Sequence, residues 1–159
     1  MNGDAARLEM PDVNKFDAIF WTLPYEQQVR EALKTLKTVA MVGLSDDPMR
    51  DSYMVGAYLK KAGFKIIPVN PRVPMVLGEK AYPDLASARK GAGEIDIIDI
   101  FRAPEFIPRI VEEAIKIDAK MIWMQLDLEV ESAAEAARAA GMFVVMNRCM
   151  KIEHMKIIS

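Results

Sequence analysis

The chain has 159 residues, 52% of them apolar, with 21 Lys and Arg against 23 Asp and Glu. A single domain of that size buries roughly 68–70% of its unfolded surface without a metal or disulfide staple, and a formal charge of −2 supplies no field that would draw nucleic acid or an acidic lipid surface. One cysteine, Cys149, and one histidine, His154, exclude an internal disulfide and a Cys- or His-rich zinc centre.

Residues 1–23 read as an N-terminal tail, Met1 to about Val13, followed by an apolar segment in which Phe16, Ile19, Phe20 and Trp21 pack on the body. Met1 to Arg7 lacks an apolar signal core, and no run approaches the ~20 apolar residues of a membrane span, so a soluble cytoplasmic protein with no membrane partner is expected. The domain proper is expected over residues 24–159. Pro24 opens a helix to about Lys37 with Val29, Leu33 and Leu36 on one face.

Val39 to Val42 is a continuous apolar run suited to a parallel strand covered on both faces. Gly43 then allows a tight turn or close approach to a ligand, Ser45 offers a hydroxyl, and a helix is expected near Ser52, capped by Asp51 or Ser52. Val55, Tyr58, Leu59 and Ala62 recur on one face of that helix. Its free amides would face whatever sits over Gly43, which favours an anion.

Phe64 to Val69 is a second strand, and Pro68 within it argues for a position near a sheet edge. Asn70 to Asp84 is rich in Pro and turn residues, with a short helix around Leu85 to Lys90. Ile95 to Ile100 forms a third strand, followed by a helix after Pro104. Met121 to Met124 forms a fourth strand, Glu129 to Ala140 an Ala-rich helix stopped by Gly141, and Met142 to Met146 a fifth strand. Strict alternation implies an open α/β sheet of five parallel strands, Rossmann-like, with helices on both faces.

With strand order 2-1-3-4-5, the winding reverses between the first and third strands, and the ligand crevice lies beyond their carboxyl ends. The loops meeting there are Gly43 to Ser52 and Phe101 to Pro104, flanked by Asn70 to Arg72 and by Gln125. Arg50, Arg72 and Arg102 therefore share one rim, an arrangement suited to a ligand with several phosphates. The dinucleotide fingerprint G-x-G-x-x-G and its downstream acid are missing: Gly43 stands alone and the second strand ends in Asn70-Pro71-Arg72. NAD is disfavoured, no P-loop occurs, and an arginine in place of the acid suits the ribose phosphate of NADP or of coenzyme A.

Gly43-Leu44-Ser45 with Pro48 and Arg50, Val69-Asn70-Pro71, Leu77-Gly78 with Tyr82-Pro83, Phe101-Arg102 with Pro104-Glu105, Trp123 with Gln125, and Asn147-Arg148-Cys149 with Lys151 and Glu153-His154 resemble the small CoA-binding protein family. That family is itself similar to the CoA-binding domain of the succinyl-CoA synthetase alpha subunit. The resemblance covers about Leu36 to Ile157. It implies that Gly43, Leu44 and Ser45 meet the pyrophosphate, that Asn70, Pro71 and Arg72 lie against the adenosine and its 3′-phosphate, and that Phe101, Arg102, Met124 and Gln125 follow the remaining length of the cofactor. Arg50 and Ser52 complete the expected set.

The expected function is binding of coenzyme A or an acyl-CoA by a stand-alone module with no catalytic residues and no metal. The synthetase's phosphorylated histidine belongs to a second domain, and the chain ends before one could begin; His154 reads as structural, pairing with a carboxylate or capping. Asp96 and Asp99, among isoleucines, suggest one carboxylate orienting a loop amide rather than an acid/base pair. Cys149, beside Arg148 on the ligand side, is either a buried inert thiol or one able to exchange with the thiol of coenzyme A. Two other classes stay open: an NADP- or acyl-CoA-dependent enzyme, and a protein interaction module on the same scaffold.

Overall fold

The computed structural model describes residues 15–159, so the tail expected over Met1 to Val13 lies outside the described residues. Strands β1 (Thr38–Val42), β2 (Lys65–Val69), β5 (Ile97–Ile100), β6 (Met121–Met124) and β7 (Phe143–Val145) form one sheet in the order β2-β1-β5-β6-β7, and all its pairings are parallel. In order of appearance along the chain this is the expected 2-1-3-4-5. Helices α1 (Ala18–Thr22), α2 (Tyr25–Thr35), α3 (Asp51–Lys61), α4 (Leu85–Ala92), α5 (Ile107–Lys116), α6 (Glu131–Ala139) and α7 (Met150–Ile158) cover it.

Side chains alternate across a strand, so each strand feeds two cores. Ala40, Val42, Ile98, Ile100, Ile122 and Met124 pack beneath α4, α5 and α6, whereas Val39, Met41, Ile97, Met121 and Trp123 pack beneath α1, α2, α3 and α7. The apolar segment before Pro24 joins the second core: Asp17 Oδ1 caps α1 by accepting from the Phe20 amide at 2.9 Å, and the Phe20 ring packs edge-on against Phe143 at 5.2 Å. Trp21 and Ile19 remain exposed.

β2 is an edge strand, as Pro68 requires, and the segment after it covers the edge: Tyr82 donates to the Pro68 carbonyl at 3.0 Å and its own carbonyl accepts from Asn70 at 2.8 Å. The turn-rich stretch before Asp84 contains a two-stranded hairpin, β3 (Met75–Val76) with β4 (Glu79–Lys80). Both residues of its two-residue turn have positive φ, Leu77 at 55° and Gly78 at 75°, the twist that lets so short a loop join antiparallel strands. No apolar alternation announces strands that short. Pro104 opens a 3₁₀ turn (Pro104–Phe106) rather than the α-helix itself, which starts at Ile107.

Candidate functional site

The winding order reverses between β1 and β5, and the exit of β1 is tied there to those of both β2 and β5. The Gly43 amide donates to the Val69 carbonyl at 2.9 Å while the Phe101 amide donates to the Val42 carbonyl at 2.8 Å. Gly43 sits at φ +89°, and a β-carbon there would stand 2.5 Å from the Phe101 carbonyl oxygen. The close approach that demands glycine is thus made by the protein's own backbone.

From Gly43 the loop holds itself in shape. Ser52 Oγ accepts from the Ser45 amide at 3.0 Å, Ser45 Oγ from the Asp47 amide at 3.0 Å, and Asp47 Oδ1 from the Met49 amide at 3.0 Å. Asn70 fastens the loop to the neighbouring strand exit: its Nδ2 donates to the Leu44 carbonyl at 3.0 Å and its Oδ1 accepts from the Arg72 amide at 2.9 Å. Because the Ser52 hydroxyl serves the loop, it does not cap α3. The helix starts one residue early, at Asp51, with Arg50 at the cap position and no side-chain cap hydrogen bond. That corrects the expected capping by Asp51 or Ser52 and leaves the first-turn amides to whatever enters.

What they face is a cavity of about 680 Å³, within the range of small-molecule sites. Gly43, Ser45, Arg50, Ser52, Asn70, Pro71, Arg72, Phe101 and Arg102 all line it, so the structure brings together nine of the twelve residues singled out from the sequence. Among the described residues none of the three arginines is ion-paired, although Arg102 lies over the Phe106 ring at 4.1 Å. Asp46, which the sequence did not mark, and Asp51, which it marked only as a helix cap, line it too, so three cations face two carboxylates. Their positions in the loop and in the first helical turn were the only available signal.

The side chains of Leu44 and Met124 do not reach the cavity: both are 0% exposed, Leu44 in the core under α3 just past the turn at Gly43, and Met124 at the end of β6, whose pleat turns it into the opposite core. Any contact from Leu44 is through its backbone; the Met124 carbonyl accepts from the Arg148 amide at 3.4 Å. Gln125 lies outside the first cavity and lines a second, of about 330 Å³, together with Met54, Val55, Leu126, Cys149 and Ile152. Asp51 and Phe101 line both cavities, so the two adjoin.

Beneath Gln125 lies Asp99, paired in the sheet with Met41 and Trp123 and wholly buried. Gln125 Nε2 donates to its Oδ1 at 2.5 Å, while Oδ2 has no hydrogen-bond partner among the described residues. Burial pushes the carboxyl up to about 7, and the Gln125 hydrogen bond opposes only part of that. Asp96 stands three residues away and therefore on the other side of the strand; its Oδ2 accepts from the Thr38 amide at 3.3 Å, so it orients backbone at the far end of the sheet.

The Arg148 guanidinium, beside Cys149 in sequence, is committed to two carboxylates. It donates to both Glu26 carboxylate oxygens, at 2.7 and 2.8 Å, and to Glu153 at 3.3 Å. His154 packs edge-on against Phe64 and Tyr58, and its Nδ1 shares a 2.8 Å hydrogen bond with the Tyr58 hydroxyl, so its partner is a phenol rather than a carboxylate. Burial lowers its pKa, and Lys37 adds to the effect.

Comparison with known proteins places this geometry. The uncharacterized protein YneT of Bacillus subtilis (strain 168) is 39% identical over 131 residues, covering 82% of this chain and 95% of that one. A hypothetical protein from Pyrococcus horikoshii OT3 superposes with a TM-score of 0.80 at 35% identity, over 92% of this chain and 99% of that chain. Prb, the PH1109 protein redesigned for binding, gives the same TM-score at 37% identity, over 86% and 94%. The dinucleotide-forming acetyl-coenzyme A synthetase 1 of Ca. Korarchaeum cryptofilum shares the fold alone, with a TM-score of 0.63 at 21% identity over 72% of this chain and 27% of that one. Residues 37–155, the whole sheet with the loops that line both cavities, match the family described as CoA binding domain, and to that family this chain belongs.

Proposed function

We propose that this protein binds coenzyme A or an acyl-CoA as a stand-alone module and does not turn it over. The observation that carries the reading is the cavity beyond the adjacent ends of β1 and β5, where the uncapped first turn of α3 and three arginines without an ion pair among the described residues converge on one volume. Such a set suits a pyrophosphate and an additional phosphomonoester. At the end of β2, where a dinucleotide site places an acid for the ribose hydroxyls, Asn70 is committed to bracing the loop and Arg72 lines the cavity. That favours a ligand with a phosphorylated ribose.

The non-catalytic part of the reading rests on where the titratable groups lie. His154 is committed to Tyr58 in the core under α3 and α7, and Asp99 is sealed within the sheet. Native mass spectrometry of protein purified from cells, followed by addition of coenzyme A, tests the binding directly. An adduct of the mass of coenzyme A or of an acyl-CoA that survives mild activation is expected. Formation of a nicotinamide dinucleotide adduct in preference to coenzyme A would overturn the ligand assignment, and release of free carboxylic acid from a bound acyl-CoA would overturn the non-catalytic role.

A further inference from the structure

The second cavity and the buried carboxyl beneath it are used by nothing described so far. A carboxyl placed between Met41 and Trp123 at the centre of a parallel sheet is costly, and its Oδ2 has no hydrogen-bond partner among the described residues. Its side-chain partner is the Gln125 carboxamide, and Gln125 reaches the cavity bounded by the apolar side chains of Met54, Val55, Phe101, Leu126 and Ile152. With Nε2 committed to Asp99, the Gln125 carbonyl oxygen is left as an acceptor. A mostly apolar cleft with a fixed polar group in it is the usual form of a site that orients a ligand.

We infer that Asp99 is a positioning residue: it locks the Gln125 carboxamide so that its carbonyl oxygen accepts an N–H from the amide-bearing arm of a bound coenzyme A. The inference rests on the coenzyme A reading above and adds to it a route for the arm. The phosphates occupy the first cavity, the chain passes Phe101 and Asp51, which line both cavities, and the secondary amides of the arm enter the second. Without Asp99 the glutamine would be free to rotate, and an N–H entering the cleft would lose this fixed acceptor, leaving only the Asp51 carboxylate at the junction of the two cavities. Asp99 therefore stabilises a bound arm at the expense of the empty fold, as buried polar groups at functional sites do.

Calorimetric titration with two compounds, coenzyme A and its armless half 3′-phosphoadenosine 5′-diphosphate, tests this on the wild type and on Asp99→Leu, Asp99→Ala, Asp99→Asn and Gln125→Ala. The apolar variants and Gln125→Ala should bind coenzyme A about tenfold more weakly and the nucleotide half within about twofold of wild type, the size of one neutral hydrogen bond. Asp99→Asn keeps an acceptor for Gln125 Nε2 and should restore coenzyme A affinity. Combining Asp99→Ala with Gln125→Ala should cost no more than either change alone. Equal losses for both compounds, or no loss for either, would overturn the positioning role while leaving the coenzyme A reading intact. So would equal affinity of the wild type for both compounds, because the arm would then contribute nothing. If neither apolar variant folds, Asp99 is a structural residue and the inference falls. A wild type that binds neither compound removes the coenzyme A reading, and this inference with it.

Discussion

At Gly43 the chain itself already requires glycine, whatever a ligand adds. A β-carbon would meet the Phe101 carbonyl at 2.5 Å and Arg102 Cδ at 2.9 Å, and φ of +89° is a conformation other residues adopt at a cost. Gly43→Ala should therefore lower unfolding stability by more than ~1 kcal/mol even without ligand, as read by urea denaturation; an unchanged midpoint would show that the β1 and β5 exits part freely. Asp99 gives a pH signature. In the unfolded chain it ionises near 3.8, whereas in the fold it holds its proton until about 7. Its contribution is therefore fully present below pH 3.8 and is lost as pH rises through about 7. Relative to Asp99→Asn, the wild type should lose on the order of 4 kcal/mol of stability across that window; a flat difference curve would contradict the burial argument. On the proposed coenzyme A reading, Arg72 at the end of β2 takes the 3′-phosphate. Arg72→Ala should cost about 1.5–3 kcal/mol of binding to coenzyme A and little with dephospho-coenzyme A, measured by calorimetry; equal losses would move that phosphate to Arg50 or Arg102. These arginines were legible in the sequence because parallel topology puts every strand exit on one side. The burial of Leu44 and Met124 was not: Met124 lies at a strand end whose face is set by a register that only the pairing reveals, and Leu44 follows a turn whose course the sequence does not state.

At the level of elements, the helix after β1 shows why boundaries were harder to read than existence. Periodicity in Val55 and Leu59 marks the helix, but a serine near its start has two possible partners, the helix's own amides or the loop before it. Ser52 takes the loop, accepting from Ser45 at 3.0 Å while itself 6% exposed. Ser52→Ala should leave the part-buried Ser45 amide without its partner, lowering stability by about 1 kcal/mol and loosening the loop after β1. Thermal denaturation would show a lower midpoint, whereas an unchanged one would mean that water replaces the hydroxyl. The hairpin β3–β4 was hidden for a different reason: its strands are two residues each, too short for a period of two to register, and its turn places a leucine at positive φ. The second cavity was hidden as well. It depends on α3 and α7 packing side by side, a contact made by Tyr58 and His154 at residues far apart in sequence.

For the whole molecule, the topology does most of the positioning. A parallel sheet ordered β2-β1-β5-β6-β7 gathers all its strand exits on one rim and opens a crevice at the reversal, and the chain supplies that crevice with cations where a dinucleotide fold supplies an acid. No helix among the described residues is long and apolar enough to cross a membrane. The claim that the crevice takes coenzyme A rather than a nicotinamide dinucleotide makes ligand-dependent stability the most direct test, because only a ligand that prefers the folded state raises the unfolding free energy. Thermal or urea unfolding in the presence of coenzyme A, NADP or NAD should show stabilisation of about 2.7 kcal/mol with coenzyme A at 100 times its dissociation constant, and little with the other two at the same concentration. A shift with NADP or NAD equal to that with coenzyme A would contradict the account.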